Sequence, residues 1–136
     1  MKLLIDTNII LDAFEKREPW CEAAESLLIA VAEEKAEGFI TASTLTDLYY
    51  LLRKHLQDMD KAKQALLGLL AIVDVLEVTG TDCRNAFDLP IADYEDALLA
   101  YCARRHKMDC IVTRNTKHFV GSSVKAIQPD DWLKNL

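Results

Sequence analysis

Short unbroken apolar runs alternate along the chain with longer stretches whose apolar residues recur every three or four positions. The first pattern belongs to strands buried on both faces, the second to helices with one buried face. Strands are predicted over 3–6, 39–42, 73–78 and 110–113, with a weaker one over 124–127. Helices are predicted over 19–37, 44–56, 60–72, 81–87, 93–107 and 129–136. Strands separated by helices pair in parallel, because each crossover helix carries the chain back to the same edge. The expected fold class is α/β, with a central parallel sheet of four to five strands.

Parallel sheets bind ligands beyond the carboxyl ends of their strands, where helices begin. The residues at those places are mostly acids and amides. Asp6-Thr7-Asn8 follows the first strand, and Ser43-Thr44-Leu45-Thr46-Asp47 follows the second. Asp93-Tyr94-Glu95-Asp96 opens the helix over 93–107, and Thr113-Arg114-Asn115-Thr116-Lys117 follows the fourth strand. Singly, each has a local explanation. Asp6, Asn8 and Asn115 suit turns. Thr44 and Asp47 fit a capping box, and Asp93 fits an N-cap with Asp96 favoured by the helix dipole.

Together they need more. Asp6, Asp47 and Asp96 would open on one edge of the sheet, and like charges 4 Å apart cost about 4 kcal/mol per pair at an effective dielectric near 20. A cation, or a raised carboxyl pKa, must relieve that repulsion. Oxygen donors select hard ions, so Mg²⁺ or Mn²⁺ is expected rather than zinc. The three carboxyl groups are therefore expected to converge on one ion position.

Composition adjusts this picture. The 136 residues, 51% hydrophobic and 28% charged, suit one domain over 1–136 with an ordinary core. Sixteen basic against 22 acidic residues leave a charge of −6, unusual for a phosphate binder. Two divalent ions held by four carboxylates would bring it to about −2. The cysteines at 21, 83, 102 and 110 form no Cys-x-x-Cys pair and read as reduced core thiols. The first apolar run meets Asp6 too soon for a signal peptide, and no run reaches the ~20 residues of a membrane span. A cytoplasmic protein with no membrane association is expected.

Four blocks, taken in order, resemble a known family. Ile5-Asp6-Thr7-Asn8-Ile9-Ile10-Leu11, Thr44-Leu45-Thr46-Asp47-Leu48-Tyr49, Asp93-Tyr94-Glu95-Asp96-Ala97-Leu98 and Ile111-Val112-Thr113-Arg114-Asn115-Thr116-Lys117-His118-Phe119 are similar to the blocks of a PIN domain. The resemblance spans nearly the whole chain and is strongest to the toxin-like (VapC-type) members of prokaryotic toxin–antitoxin pairs. It implies a three-layer α/β/α sandwich and a metal-dependent ribonuclease leaving 5′-phosphate and 3′-hydroxyl ends. By position it implies Asp6, Asp47 and Asp96 as catalytic and metal-binding acids, with Asp93 as an accessory ligand or cap. Asp47 stands where Glu is commoner. Asn115 stands where many members carry a fourth Asp, which removes a negative charge and weakens the case for a second metal. Thr7, Asn8 and Thr113 would orient ligands or water. An antitoxin partner and a homodimer are implied by the same analogy.

Candidate RNA contacts follow from distance. Arg105 lies nine residues beyond Asp96, about 14 Å along a helix, so the basic run from Arg104 to Lys107 reads as a helix C-terminus complementing its dipole. Lys54, seven residues after Asp47, is about 10 Å away on the same helix face. Arg114 and Lys117 flank Asn115 and are positioned for phosphates. Tyr49, Tyr50 and Tyr94 offer rings for stacking on bases but read first as partly core, and His55, His106 and His118 read as structural. Two rivals remain: a PIN module that binds RNA or protein without cutting, and a receiver-like or phosphatase domain. The latter needs an acid two residues after Asp6, where Asn8 stands.

Overall fold

The computed structural model describes residues Met1 to Leu136. Strands β1 (Lys2–Ile5), β2 (Glu37–Thr41), β3 (Val73–Leu76), β4 (Cys110–Val112) and β5 (Ala126–Ile127) form one sheet in the order β3-β2-β1-β4-β5. Every pairing is parallel. The chain steps from β1 outward through β2 to β3, then returns to the other side of β1 for β4. That reversal opens a crevice beyond the carboxyl end of β1, where Asp6 stands.

Alternation along the strands divides the core into two layers. Leu3, Ile5, Ile40, Val73 and Val112 pack on the face covered by α1 (Thr7–Phe14), α2 (Cys21–Ala32), α3 (Ala42–Leu56), α4 (Met59–Leu70) and α7 (Pro129–Lys134). Leu4, Leu76 and Ile111 point the other way, against Leu99, Ala100 and Ala103 of α6 (Tyr94–Arg105) and against Phe119. The expected α/β/α sandwich with a five-stranded parallel sheet is what forms. Gly38 lets α2 lie close to the sheet: a β-carbon there would stand 2.8 Å from Cγ1 of Val31.

Element boundaries differ from the sequence pattern in four places. The pattern predicts no helix between β1 and residue 19, yet α1 occupies Thr7–Phe14. Its Ile9-Ile10-Leu11 run looks like continued strand, and the helical face shows only once Ile9, Ile10 and Ala13 are seen buried together. The helix predicted over 19–37 is shorter, Cys21–Ala32, because Glu34 takes a left-handed turn (φ 61°) that delivers Glu37 into β2. α3 starts at Ala42, capped by Thr41, rather than at 44. Beyond β3, Thr79 and Asp82 form a reciprocal capping box for α5 (Gly80–Asn85), which ends the strand at Leu76 instead of 78. No helix is long and apolar enough to cross a membrane.

Candidate functional site

Parallel pairing of Ile5 with Val112 brings the residues that follow them, Asp6 and Thr113, side by side. Asp6 is 7% exposed, and its Oδ2 accepts a hydrogen bond from Thr113 Oγ1 at 2.8 Å. Asn8 Nδ2 is 3.4 Å from the same oxygen. No side-chain cap hydrogen bond runs from Asp6 to α1, and its strongest partner comes from the distant β4 end rather than from its own turn. Burial pushes its pKa above the usual carboxylate range, and the charge of Asp93 adds to that. The Thr113 hydroxyl, the Thr7 amide and the Arg114 guanidinium pull it back. Thr113 Oγ1 in turn accepts from the Asn115 backbone amide at 3.1 Å, so one hydroxyl ties the loop after β4 to the acid after β1.

The capping explanation of Asp47 also fails. Thr41, not Thr44, caps α3, accepting from the Thr44 amide at 3.2 Å. Asp47 lies beyond the first turn and is exposed to a cavity of about 250 Å³ that Asp6, Thr7, Thr44, Tyr94 and Glu95 also line. Thr7 Oγ1 and Thr44 Oγ1, 3.3 Å apart, join its two sides.

The α6 N-terminus supplies the remaining acids. Asp93 is its N-cap, accepting from the Asp96 amide at 3.0 Å. Asp96 is raised to about 6, first by burial and then by the charges of Asp6 and Asp93, with His118 acting against them. Glu95, absent from the expected set, is pushed up by burial and by Asp47, Asp93 and Asp6. Its signal was available: Glu95, Leu98 and Leu99 all line the cavity and share the i, i+3, i+4 spacing of one helix face.

Convergence on one ion position is not reached, which corrects the expectation. No three His, Cys, Asp or Glu side chains are gathered closely enough to ligate a single ion. Asp6 and Asp47 face the cavity together with Glu95, whereas the Asp96 carboxylate turns to His118, Oδ2 to Nδ1 at 3.3 Å. Like charges in a partly desolvated site drive the carboxylates toward separate partners. The donor chemistry still fits a hard divalent cation. Every candidate donor is oxygen, the carboxyls of Asp6, Glu95 and Asp96 are raised first by burial and then by neighbouring acids, Asp93 among them in each case, and Asn8 Oδ1 is buried beside Asp6 with no hydrogen-bond partner.

The predicted basic contacts divide. Arg114 is held by the buried carboxylate of Asp12, with Nε 2.6 Å from Oδ2, and its guanidinium lies 3.9 Å from the Trp20 ring centre. It is therefore withdrawn from the expected phosphate contacts, because leaving would strand Asp12 without its closest partner. Lys54 and Lys117 are exposed. Lys117 lines a second cavity of about 300 Å³ with Asp93 and His118. Asn115 is exposed at the head of the 3-10 turn Thr116–Phe119, and that turn returns His118 to Asp96. Arg105 is held by Asp82 at 2.7 Å, away from the carboxylates.

The comparisons agree with this architecture. The VapBC2 structure from Rickettsia felis, bound to a promoter DNA fragment, is 18% identical with a TM-score of 0.71, covering 94% of this chain and 98% of that one. VapBC-1 from nontypeable Haemophilus influenzae is 17% identical with a TM-score of 0.70, covering 96% and 99%. VapC20 of Mycobacterium tuberculosis, a sarcin-ricin loop cleaving toxin, is 15% identical with a TM-score of 0.64, covering 80% and 86%. No curated protein matches by sequence. The family model of the PIN domain matches residues 2–117, a span that holds all five candidate acids, and the chain belongs to the PIN domain family.

Proposed function

We propose that this chain is a Mg²⁺- or Mn²⁺-dependent endoribonuclease, one PIN domain over residues 1–136, acting in the cytoplasm as the toxin of a toxin–antitoxin pair. The observation that carries it is the shared cavity of Asp6, Asp47 and Glu95 beyond β1, with Asp93 and Asp96 at the N-terminus of the same helix as Glu95. The RNA-cleaving description of the mycobacterial neighbour supports the substrate class.

Asp6, Asp47 and Glu95 would face the cation across their shared cavity, with water completing the oxygen shell that no three carboxylates reach directly, and with Asp96 and Asp93 as outer acids. Bound there, a divalent ion supplies Lewis-acid polarisation of a phosphodiester and a water acidic enough to attack it. The protein's own part is positioning. Thr113 fixes the Asp6 carboxylate through its 2.8 Å bond. Thr7 and Thr44 brace α1 against α3, while Asn8 offers its free Oδ1. Leu98 and Leu99 form an apolar wall that limits water. Lys117 meets phosphate charge on one flank and Lys54 on the other. Asn115 contributes a neutral amide where a fourth carboxylate would add repulsion.

An apolar groove of about 350 Å³ between α2 and α4, lined by Phe14, Leu28, Ile29, Leu69 and Ile72, suits the apolar face of an antitoxin segment. The neighbours described as toxin–antitoxin complexes support that partner, and a homodimer completes the assembly.

The test is cleavage of single-stranded RNA by purified protein with Mn²⁺. Expected is activity that chelation abolishes and that Asp6→Asn and Asp96→Asn each reduce by at least two orders of magnitude, with circular dichroism unchanged. Chelator-resistant cleavage, or full activity in both variants, overturns the reading. The dispersal of the carboxylates favours one second reading, a PIN module that binds without cutting. Calorimetry finding no Mn²⁺ binding at millimolar concentration would select it.

A further inference from the structure

Phe87 is 73% exposed, although a phenylalanine ring is ordinarily buried. It sits on the 3-10 turn Ala86–Asp88 and stacks on Tyr94, with ring centres 4.3 Å apart and planes 27° apart. Tyr94 is not free to turn away, because its hydroxyl donates to the Cys83 carbonyl at 2.7 Å. The same Tyr94 lines the cavity of Asp6, Asp47 and Glu95. A rigid aromatic surface thus runs outward from the rim of the carboxylates and ends in an open ring face.

We propose that Phe87 and Tyr94 form a stacking platform for one unpaired base of a single-stranded RNA, beside the phosphate to be cut; this rests on the ribonuclease reading. Three observations select a base as the occupant. The platform is continuous with the cavity through Tyr94, so a nucleotide whose phosphate enters the cavity places a neighbouring base within reach. The surroundings are acidic, with Asp88, Asp93 and Glu95 exposed. Arg114 and Arg105 are engaged by Asp12 and Asp82, which leaves the exposed Arg84, three residues before Phe87, as the unpaired arginine nearest to it in sequence. With the local acids opposing the few cations that can reach a phosphate, a polyanion held here gains from attraction that does not depend on charge, and base–aromatic stacking provides it for any base. A single open ring also offers far less than the ~800 Å² per partner of a stable protein interface, which argues against a second copy as occupant.

The experiment uses a short single-stranded oligoribonucleotide carrying 2-aminopurine, titrated with the full chain in Ca²⁺, and the same oligonucleotide annealed into a duplex. Expected is quenching of the fluorophore on binding the single strand, and weaker binding of the duplex. Phe87→Ala should weaken the single-strand affinity on the order of tenfold or more, whereas Phe87→Trp keeps it. The slope of affinity against salt should stay the same in both, since no ionic contact is removed. In cleavage assays the loss should fall mainly in KM. Equal affinity of Phe87→Ala and wild type overturns the platform. So does a dimer that Phe87→Ala converts to monomer in sedimentation, which would assign the ring to a second copy. Quenching and tight binding without any Mn²⁺-supported cleavage would sink the nuclease reading while leaving the platform standing.

Discussion

Arg114 grips the carboxylate of Asp12 in a two-pronged ion pair, Nε to Oδ2 at 2.6 Å and Nη2 to Oδ1 at 3.1 Å. Asp12 is fully buried, and Arg17 reaches it only at 3.9 Å. The pair bolts the loop after β4 onto α1, one residue from the Thr113 hydroxyl that holds Asp6. Arg114→Ala would leave an uncompensated buried charge, so a loss of about 3–5 kcal/mol in unfolding free energy is expected. Chemical denaturation measures it. Arg114→Lys should recover only part, because an ammonium cannot make the fork.

Thr113→Val removes the 2.8 Å bond to Asp6 and leaves a buried carboxylate short of a donor. The cost to stability is about 1–3 kcal/mol. The hydroxyl holds the Asp6 pKa down against burial, so its loss should move the acidic limb of the pH–rate profile to higher pH. An unmoved limb would deny Asp6 its role.

Asp96 has a folded pKa raised to about 6 from 3.8. Between those values the folded state binds more protons than the unfolded one, so its contribution is present in full below about 4 and is lost as pH rises through 6. Metal-free protein should therefore show a thermal midpoint that falls between about pH 4 and 6.5 and levels off above it. Asp96→Asn should flatten that fall by about 1–2 kcal/mol, discounted for partial exposure. Mn²⁺ should raise the midpoint more at pH 7.5 than at pH 5, since ligands must be deprotonated to bind.

Glu95 faces the cavity, so Glu95→Gln should weaken Mn²⁺ binding on the order of tenfold or more in calorimetry. It should also relieve repulsion with Asp47, Asp93 and Asp6, giving a metal-free protein at least as stable as wild type. Unchanged Mn²⁺ affinity would place Glu95 outside the ligand set.

Arg105 pairs with buried Asp82 through two nitrogens and also meets the Glu77 carbonyl. Burial raises the Asp82 pKa, but Arg105 and Thr79 outweigh it and hold it low. That contribution is present above the unfolded pKa and fades as pH falls through the folded one. Arg105→Ala should lower stability by about 2–3 kcal/mol, allowing for its partial exposure, while RNA affinity and its salt slope stay unchanged. A reduced slope would put the basic run at the RNA after all.

Much of the site was legible along the chain because it depends on order and period. A buried parallel strand ending in Asp6, and helices opening after β2 and before Ala97, are local facts that any compact α/β arrangement must bring to one edge. Asp6, Asp47 and Asp96 could be picked out for that reason, and the parallel sheet with them. The helix over Thr7–Phe14 was hidden because an isoleucine-rich run suits a strand as well as a helix.

By itself, the sequence determined which residues stand at the strand ends and so which chemistry is on offer. Only the tertiary structure decided their partners: Arg114 with Asp12 across 102 positions, Thr113 with Asp6 across 107, and Asp96 with His118 rather than with the other acids. Periodicity specifies the face a side chain occupies, but its rotamer and ionisation answer to charges and donors that arrive from distant stretches. That is why Glu95 entered the candidate site and Arg114 left it.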